Sequence, residues 1–153
     1  MPANETQKPV CLVTGSARRL GAAIATHLAP LFDIAVHYRS SRGEAEQVVQ
    51  RLRGEGSAAQ AFQADLADPA QAAGLVPEIV RRMGRIDMVV CSASLFDYDT
   101  PSEFSAEAMH RLLGVNLVAP MILARELAQA GSPQATLVHM LDSKVFSPNP
   151  DFF

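Results

Sequence analysis

The chain is 153 residues long, 48% hydrophobic and 19% charged, proportions that fit a soluble globular protein with one core and therefore one domain spanning 1–153. Its 13 Lys and Arg against 16 Asp and Glu leave a formal charge of -3, which excludes the global positive field that nucleic acid or an anionic membrane would require, so any anion is bound locally. Cys11 and Cys91 each lie inside an apolar run, spaced for neither a zinc site nor a redox pair, and read as buried thiols of a reducing compartment.

The opening MPANETQKPV lacks a basic stretch followed by an apolar one, and residues 1–8 are expected to be a flexible N-terminus. VCLVTG, residues 10–15, is a continuous β-rich run of the kind covered on both faces. Leu20, Ile24, His27, Leu28 and Leu31 then recur at helical spacing. DIAVHY (33–38) is a second strand, and 44–53 a polar helix ended by Gly54 and Gly56. AAQAFQADL (58–66) predicts a third strand, and Asp68 followed by Pro69 supplies an N-cap with proline at the first helical position. RIDMVVCSAS (85–94) predicts a fourth strand, about 105–130 a long helix, and ATLVHML (135–141) a fifth strand. The longest apolar stretch, 112–124, contains Asn116 and Pro120 and is too short to span a bilayer, so a cytoplasmic protein without a membrane partner is expected. Alternation of strands and helices predicts the α/β class: a Rossmann-like, doubly wound parallel sheet in three layers, with about five strands.

In that class ligands bind beyond the carboxyl ends of the strands, and the first strand-to-helix turn aims backbone N–H groups at a phosphate. TGSARRLG (14–21) occupies this turn, with Gly15 at the tight bend and Gly21 where the helix approaches the sheet. A P-loop is excluded because no lysine followed by Ser or Thr closes the turn. The second strand ends in HYRSS, with Arg39, Ser40 and Ser41 where an acidic residue would hold a ribose hydroxyl, which points to a ribose bearing a 2′-phosphate clamped by Arg18 and Arg39. The plainer reading of these arginines is a solvated surface.

TGSARRLG, then ADL (64–66), CSAS (91–94) and VN (115–116) together resemble the short-chain dehydrogenase/reductases over essentially the whole chain from Pro9. Within them the chain looks most like the pteridine reductases, including bacterial dihydrofolate and dihydromonapterin reductase relatives. That branch has an arginine, here Arg19, at the middle glycine of the turn, a sequence like HYRSS after the second strand, and Ala-Ser-x-Phe, here Ala93, Ser94 and Phe96.

The resemblance implies that Gly15, Ser16, Arg18, Arg19 and Gly21 serve the cofactor phosphates, that Tyr38, Arg39 and Ser40 serve the 2′-phosphate end, and that Asp65 and Leu66 flank the adenine of NADP(H). Ala93 and Ser94 would border the cofactor; Arg19, Ser94 and Phe96 would meet the substrate, with the Phe96 ring stacked on a flat heterocycle. Asn116 would support a proton-relay water, and Asp142, where the commonest family pattern has serine, would share in proton delivery, kept protonated by burial beside the cofactor. The plainer readings are a core-packed Phe96, an Asn116 satisfied by backbone, and an Asp142 that caps a turn.

Two departures bear on activity. CSAS replaces the asparagines usual before the alanine, which questions how that strand end is braced, and no Tyr-x-x-x-Lys follows Asp142. The implied function is hydride transfer to a pterin, a dihydrofolate-like compound or an ordinary carbonyl substrate; the alternative is an inactive, truncated nucleotide-binding remnant or interaction protein. Relatives imply a homo-oligomer, and without further strands the fifth would be an exposed edge. His27 and His139 are expected to pack in the interior, His37 to sit at a strand end near the cofactor, and His110 on a helix surface; no metal site is expected.

Overall fold

Val10–Val13 (β1) is apolar at every position and wholly buried, which a strand covered on both faces requires. In the computed structural model, which describes residues 8–97 and 101–142, β1 is the middle strand of a five-stranded parallel sheet. Its partners are β2 (Asp33–Tyr38), β3 (Ala59–Gln63), β4 (Met88–Cys91) and β5 (Thr136–His139), in the order β3-β2-β1-β4-β5. In register, Val13 lies beside Val36 of β2 and Val90 of β4. The chain thus winds outward through β2 and β3, then returns across β1 to β4 and β5. This reversal opens a crevice at the carboxyl ends of β1 and β4.

The period of two along β1 divides the core. Cys11 and Val13 join one apolar cluster with α1 (Arg19–Leu28) and α2 (Arg42–Gly54), while Val10 and Leu12 join another with α3 (Pro69–Met83) and α5 (Ala119–Ala130). These are the three expected layers. The start of α3 is as read from the sequence: the Asp68 carboxylate accepts the Ala70 and Gln71 N–H groups at 2.9 and 3.5 Å, Pro69 is the first helical residue, and Gly84 ends the helix at φ 85°. Both cysteines are free and buried, and burial pushes the thiols up to about 12 for Cys11 and about 11 for Cys91.

Several boundaries differ from expectation. The first helix ends at Leu28, leaving His27 exposed rather than packed and Leu31 67% exposed. The fourth strand begins only at Met88, although the Asp87 backbone already bonds on both sides, its N–H donating to the Val10 carbonyl and its carbonyl accepting the Thr136 N–H, each at 2.9 Å; its carboxylate accepts Arg85 at 2.8 and 2.6 Å and the Val10 N–H at 2.9 Å. The helix expected over 105–130 is α4 (Ala106–Leu113) joined to α5 through a π-helical stretch, Gly114–Val118. Taken as one run, Ala106–Ala130 is 25 residues long, and its most apolar 18-residue window has a mean hydropathy of 1.2, a length and composition that a buried core helix also reaches. Ala119, Leu123 and Leu127 of this run are buried in the core with α3 and β4, so the run is no positive evidence against the expectation that the apolar stretch 112–124 does not span a bilayer. Among the described residues β5 pairs only with β4. Of the N-terminus expected to be flexible, residues 1–7 lie outside those described.

Candidate functional site

The turn between β1 and α1 is shaped by what it cannot accommodate. Gly15 has φ 66°, and a Cβ there would meet the Ala93 Cα at 3.0 Å; a Cβ on Gly21 would stand 2.5 Å from the Gly15 carbonyl oxygen. Only bare backbone lets α1 start this close to the sheet.

Beneath the turn lies His37, buried to 2% exposure at the end of β2. Its Nδ1 accepts the Gly15 N–H at 3.0 Å, so Nε2 carries the ring proton and donates to the Ala64 carbonyl at 3.1 Å. Ser16 completes the brace. Its hydroxyl donates to the Val13 carbonyl at 2.7 Å and accepts the His37 N–H at 3.1 Å, while its own N–H donates to the His37 carbonyl at 3.0 Å. Ser16, expected at the phosphates, is therefore 0% exposed with hydroxyl and amide both engaged inside the protein.

The other wall is the segment after β4. Thr14 Oγ1 accepts the Ser92 and Ala93 N–H groups at 3.0 and 2.9 Å, and Asn116, inside the π-helical stretch, clamps Leu95 from both sides. The Asn116 Oδ1 accepts the Leu95 N–H at 2.9 Å and its Nδ2 donates to the Leu95 carbonyl at 2.7 Å. The bracing questioned by CSAS thus comes from Thr14 and Asn116. Neither Cys91 nor Ser92 has to supply an amide.

Between these walls is a cleft of about 610 Å³, lined among others by Gly15, Arg18, Arg19, Gly21, Arg39, Asp65, Leu66, Ala93 and Ser94. These nine expected site residues share one cavity. Tyr38, half-buried against the α1 and α2 core, and exposed Ser40 stand beside it. Phe96 is 67% exposed rather than packed in the core, one residue beyond Leu95 of the lining. Asp142 is exposed past the carboxyl end of β5, so the burial expected to hold its proton is not supplied by the described residues. Tyr98 lies outside the described residues.

Anion-binding features converge here. No side chain caps the N-terminus of α1 and no acidic residue occupies its first turn, which leaves its amides facing the cleft residues. Among the described residues the guanidinium groups of Arg19 and Arg39 have no partner, whereas Arg18 pairs with Glu44. Arg19 is the one described non-glycine residue with positive φ, 49°. It keeps the backbone of the glycine it replaces, with strain of about 1–2 kcal/mol. A bare turn, an uncapped helix and free guanidinium groups fit a phosphate-bearing cofactor. The residues missed in sequence were Thr14 and the bracing role of His37. A polar residue amid apolar ones at each strand's end was the available signal.

The family model described as short chain dehydrogenase matches residues 9–141. Versicolorin reductase 1 of Aspergillus parasiticus is 37% identical over 118 residues, 76% of this chain and 45% of that protein. A short chain dehydrogenase of Burkholderia cenocepacia, solved in complex with NADP, superposes with a TM-score of 0.91 at 28% identity, covering 97% of this chain and 61% of that one. FolM alternative dihydrofolate reductase 1 of Brucella suis, also in complex with NADP, gives 0.88 at 35% identity, covering 95% and 61%. The chain spans about half the length of the curated relatives it matches.

Two predictions follow from the turn. Burial pushes the His37 ring down to about 4 from 6.5, partly opposed by the bond to Ala64 and by the Asp65 charge. Because the unfolded chain takes up this proton first, His37 favours the folded state fully above about pH 6.5, and roughly 3 kcal/mol is lost as pH falls towards 4. Urea unfolding between pH 7 and 4.5 should show that slope, and His37→Asn should flatten it; equal slopes would remove His37 as the cause. Separately, Arg19→Gly should raise stability by about 1 kcal/mol by relieving the positive φ, read as a shift in the urea midpoint.

Proposed function

The chain belongs to the short chain dehydrogenase family, and on that premise we propose that the protein is an NADP(H)-dependent oxidoreductase acting on a pterin or dihydrofolate-like substrate. The observation that carries the cofactor choice is Arg39. Among the described residues its guanidinium has no partner beside the cleft at the end of β2, where NAD-binding relatives of this fold class place a carboxylate. Arg18 lines the same cleft, and the NADP-bound state of the neighbouring structures supports the reading.

When bound, the cofactor supplies or accepts the hydride. The chain's own residues have the other tasks. Bare Gly15 and Gly21 let the phosphates approach the open amides of α1; Arg18, Arg39 and Ser40, with Tyr38 behind them, receive the 2′-phosphate; Asp65 and Leu66 flank the adenine. The Gln71 side chain holds the Asp65 N–H at 2.8 Å and donates to Asp68 at 2.9 Å, which fixes that flank. Asn116 holds the Leu95 backbone so that Ala93 and Ser94 face the cofactor and the exposed Phe96 ring covers a flat substrate. Arg19 reaches both ligands. Asp142, past the end of β5 and on the cleft side of a parallel sheet, is the group to which this reading assigns proton delivery, on the family pattern rather than on its exposed setting.

The pterin preference draws on the Arg19 and Ala-Ser-x-Phe pattern and on the similarity to the FolM structure. The same reading makes the protein a cytoplasmic homo-oligomer. Leu113, Leu117 and Met121, spaced one helical turn apart and 42%, 53% and 64% exposed, support the association.

Fluorescence titration should show NADPH bound more tightly than NADH, and Arg39→Asp should abolish that preference. An unchanged ratio would remove Arg39 from the 2′-phosphate site. In assays of dihydropterin and dihydrofolate reduction, Phe96→Ala should raise the KM roughly tenfold, about 1.4 kcal/mol. Reduction of simple ketones but of neither heterocycle would move the substrate class away from pterins.

A further inference from the structure

We propose that Glu44 sets the strength of the cofactor preference by competing with the 2′-phosphate for Arg18. This inference rests on the cofactor reading above. Of the three arginines lining the cleft, only Arg18 is neutralised among the described residues, and its partner, Glu44, lies outside the cleft lining. Glu44 stands in the first turn of α2, a helix that begins directly after Arg39, Ser40 and Ser41. The pair therefore ties the β1-α1 turn to the segment assigned to the 2′-phosphate.

The geometry makes this an exchangeable contact rather than a structural one. Arg18 and Glu44 side chains are 60% and 41% exposed, and an ion pair between such groups is weak and sensitive to salt. The hydrogen bond from Arg18 also holds the Glu44 carboxyl below its ordinary range, so it is ionised near neutral pH. A 2′-phosphate, carrying roughly two negative charges, must take Arg18 from this carboxylate and then remain close to it. A ribose with a free 2′-hydroxyl needs no such exchange, and the Arg18–Glu44 pair stays in place. Glu44 thus opposes NADP(H) selectively. It leaves Arg39 as the uncontested cation of the site.

The test is titration of the protein with NADP+ and NAD+ at low and high ionic strength. Glu44→Gln should tighten NADP+ binding by roughly two- to fivefold and change NAD+ binding by less, with the gain shrinking at high salt. Glu44→Ala should reproduce this result without an amide able to bond Arg18. In an Arg18→Ala background the gain from Glu44→Gln should be mostly lost, because the two substitutions remove the same contact. If the protein binds no NADP+, the cofactor reading and this inference fall together. If Arg18→Ala weakens NADP+ binding while Glu44→Gln and Glu44→Ala leave the ratio of NADP+ to NAD+ affinity unchanged, this inference alone is overturned.

Discussion

The hydrogen bond from the Gly15 N–H to His37 Nδ1 is the constraint on which the rest of the site depends. It holds the turn against the end of β2, forces a neutral ring, and through Nε2 ties in the Ala64 carbonyl just past β3. Three neighbouring strands of the sheet are thereby locked together where the cleft begins. It also has a cost for anion binding. The glycine amide, in principle a phosphate donor, is engaged inside the protein, as are the amide and hydroxyl of Ser16. Affinity for an anion then falls on the first turn of α1 and on side chains. In the proposed function that burden rests on the two arginines of the turn, Arg18 and Arg19.

The opposite wall follows the same economy of backbone bonding. Beyond β4 the chain leaves the ladder, and its N–H groups would lose their partners without Thr14 and Asn116. The π-helical stretch brings Asn116 to Leu95 while α4 and α5 continue on either side, and such single-turn irregularities are frequent at functional sites. The structure gives the plainer reading of Asn116, an amide satisfied by backbone, and the relay water expected of it belongs to the proposed function. Its amide shapes the segment holding Ala93, Ser94 and Phe96 by bonding that segment's backbone.

The fold was largely legible because its signals are local and repeated. Continuous apolar runs marked β1 and β2, and Asp68, Pro69 and Gly84 punctuated α3. What failed depends on partners distant in sequence. His27 has helical spacing yet faces outward, because the buried face of α1 runs through Gly21, Ala25 and partly buried Leu28, and His27 lies about 200° round the helix from Ala25. Asp87 sits in an apolar run but belongs to Arg85 and Val10, a contact 77 residues away in one case. Nine residues of the cleft were named from the glycine turn and the family pattern. Ser16 was assigned outward from the same pattern because its position in the turn does not disclose that its hydroxyl points back to Val13 and His37.

Charge completes the logic of the site. The chain is net negative, yet three guanidinium groups line one cleft with a single carboxylate, Asp65, among its walls. Over a screening length of about 8 Å at physiological salt, this local excess rather than the overall -3 governs what approaches the cleft. Arg19 makes the point most sharply: a glycine would relax the backbone at φ 49°, and nothing within the described protein pairs with the guanidinium gained in exchange. Strain without an internal partner supports the proposal that the compensating interaction lies with a ligand. The positive φ, the bare turn and guanidinium groups unpaired among the described residues all agree with the proposal that an anionic cofactor comes close to the backbone at the end of β1.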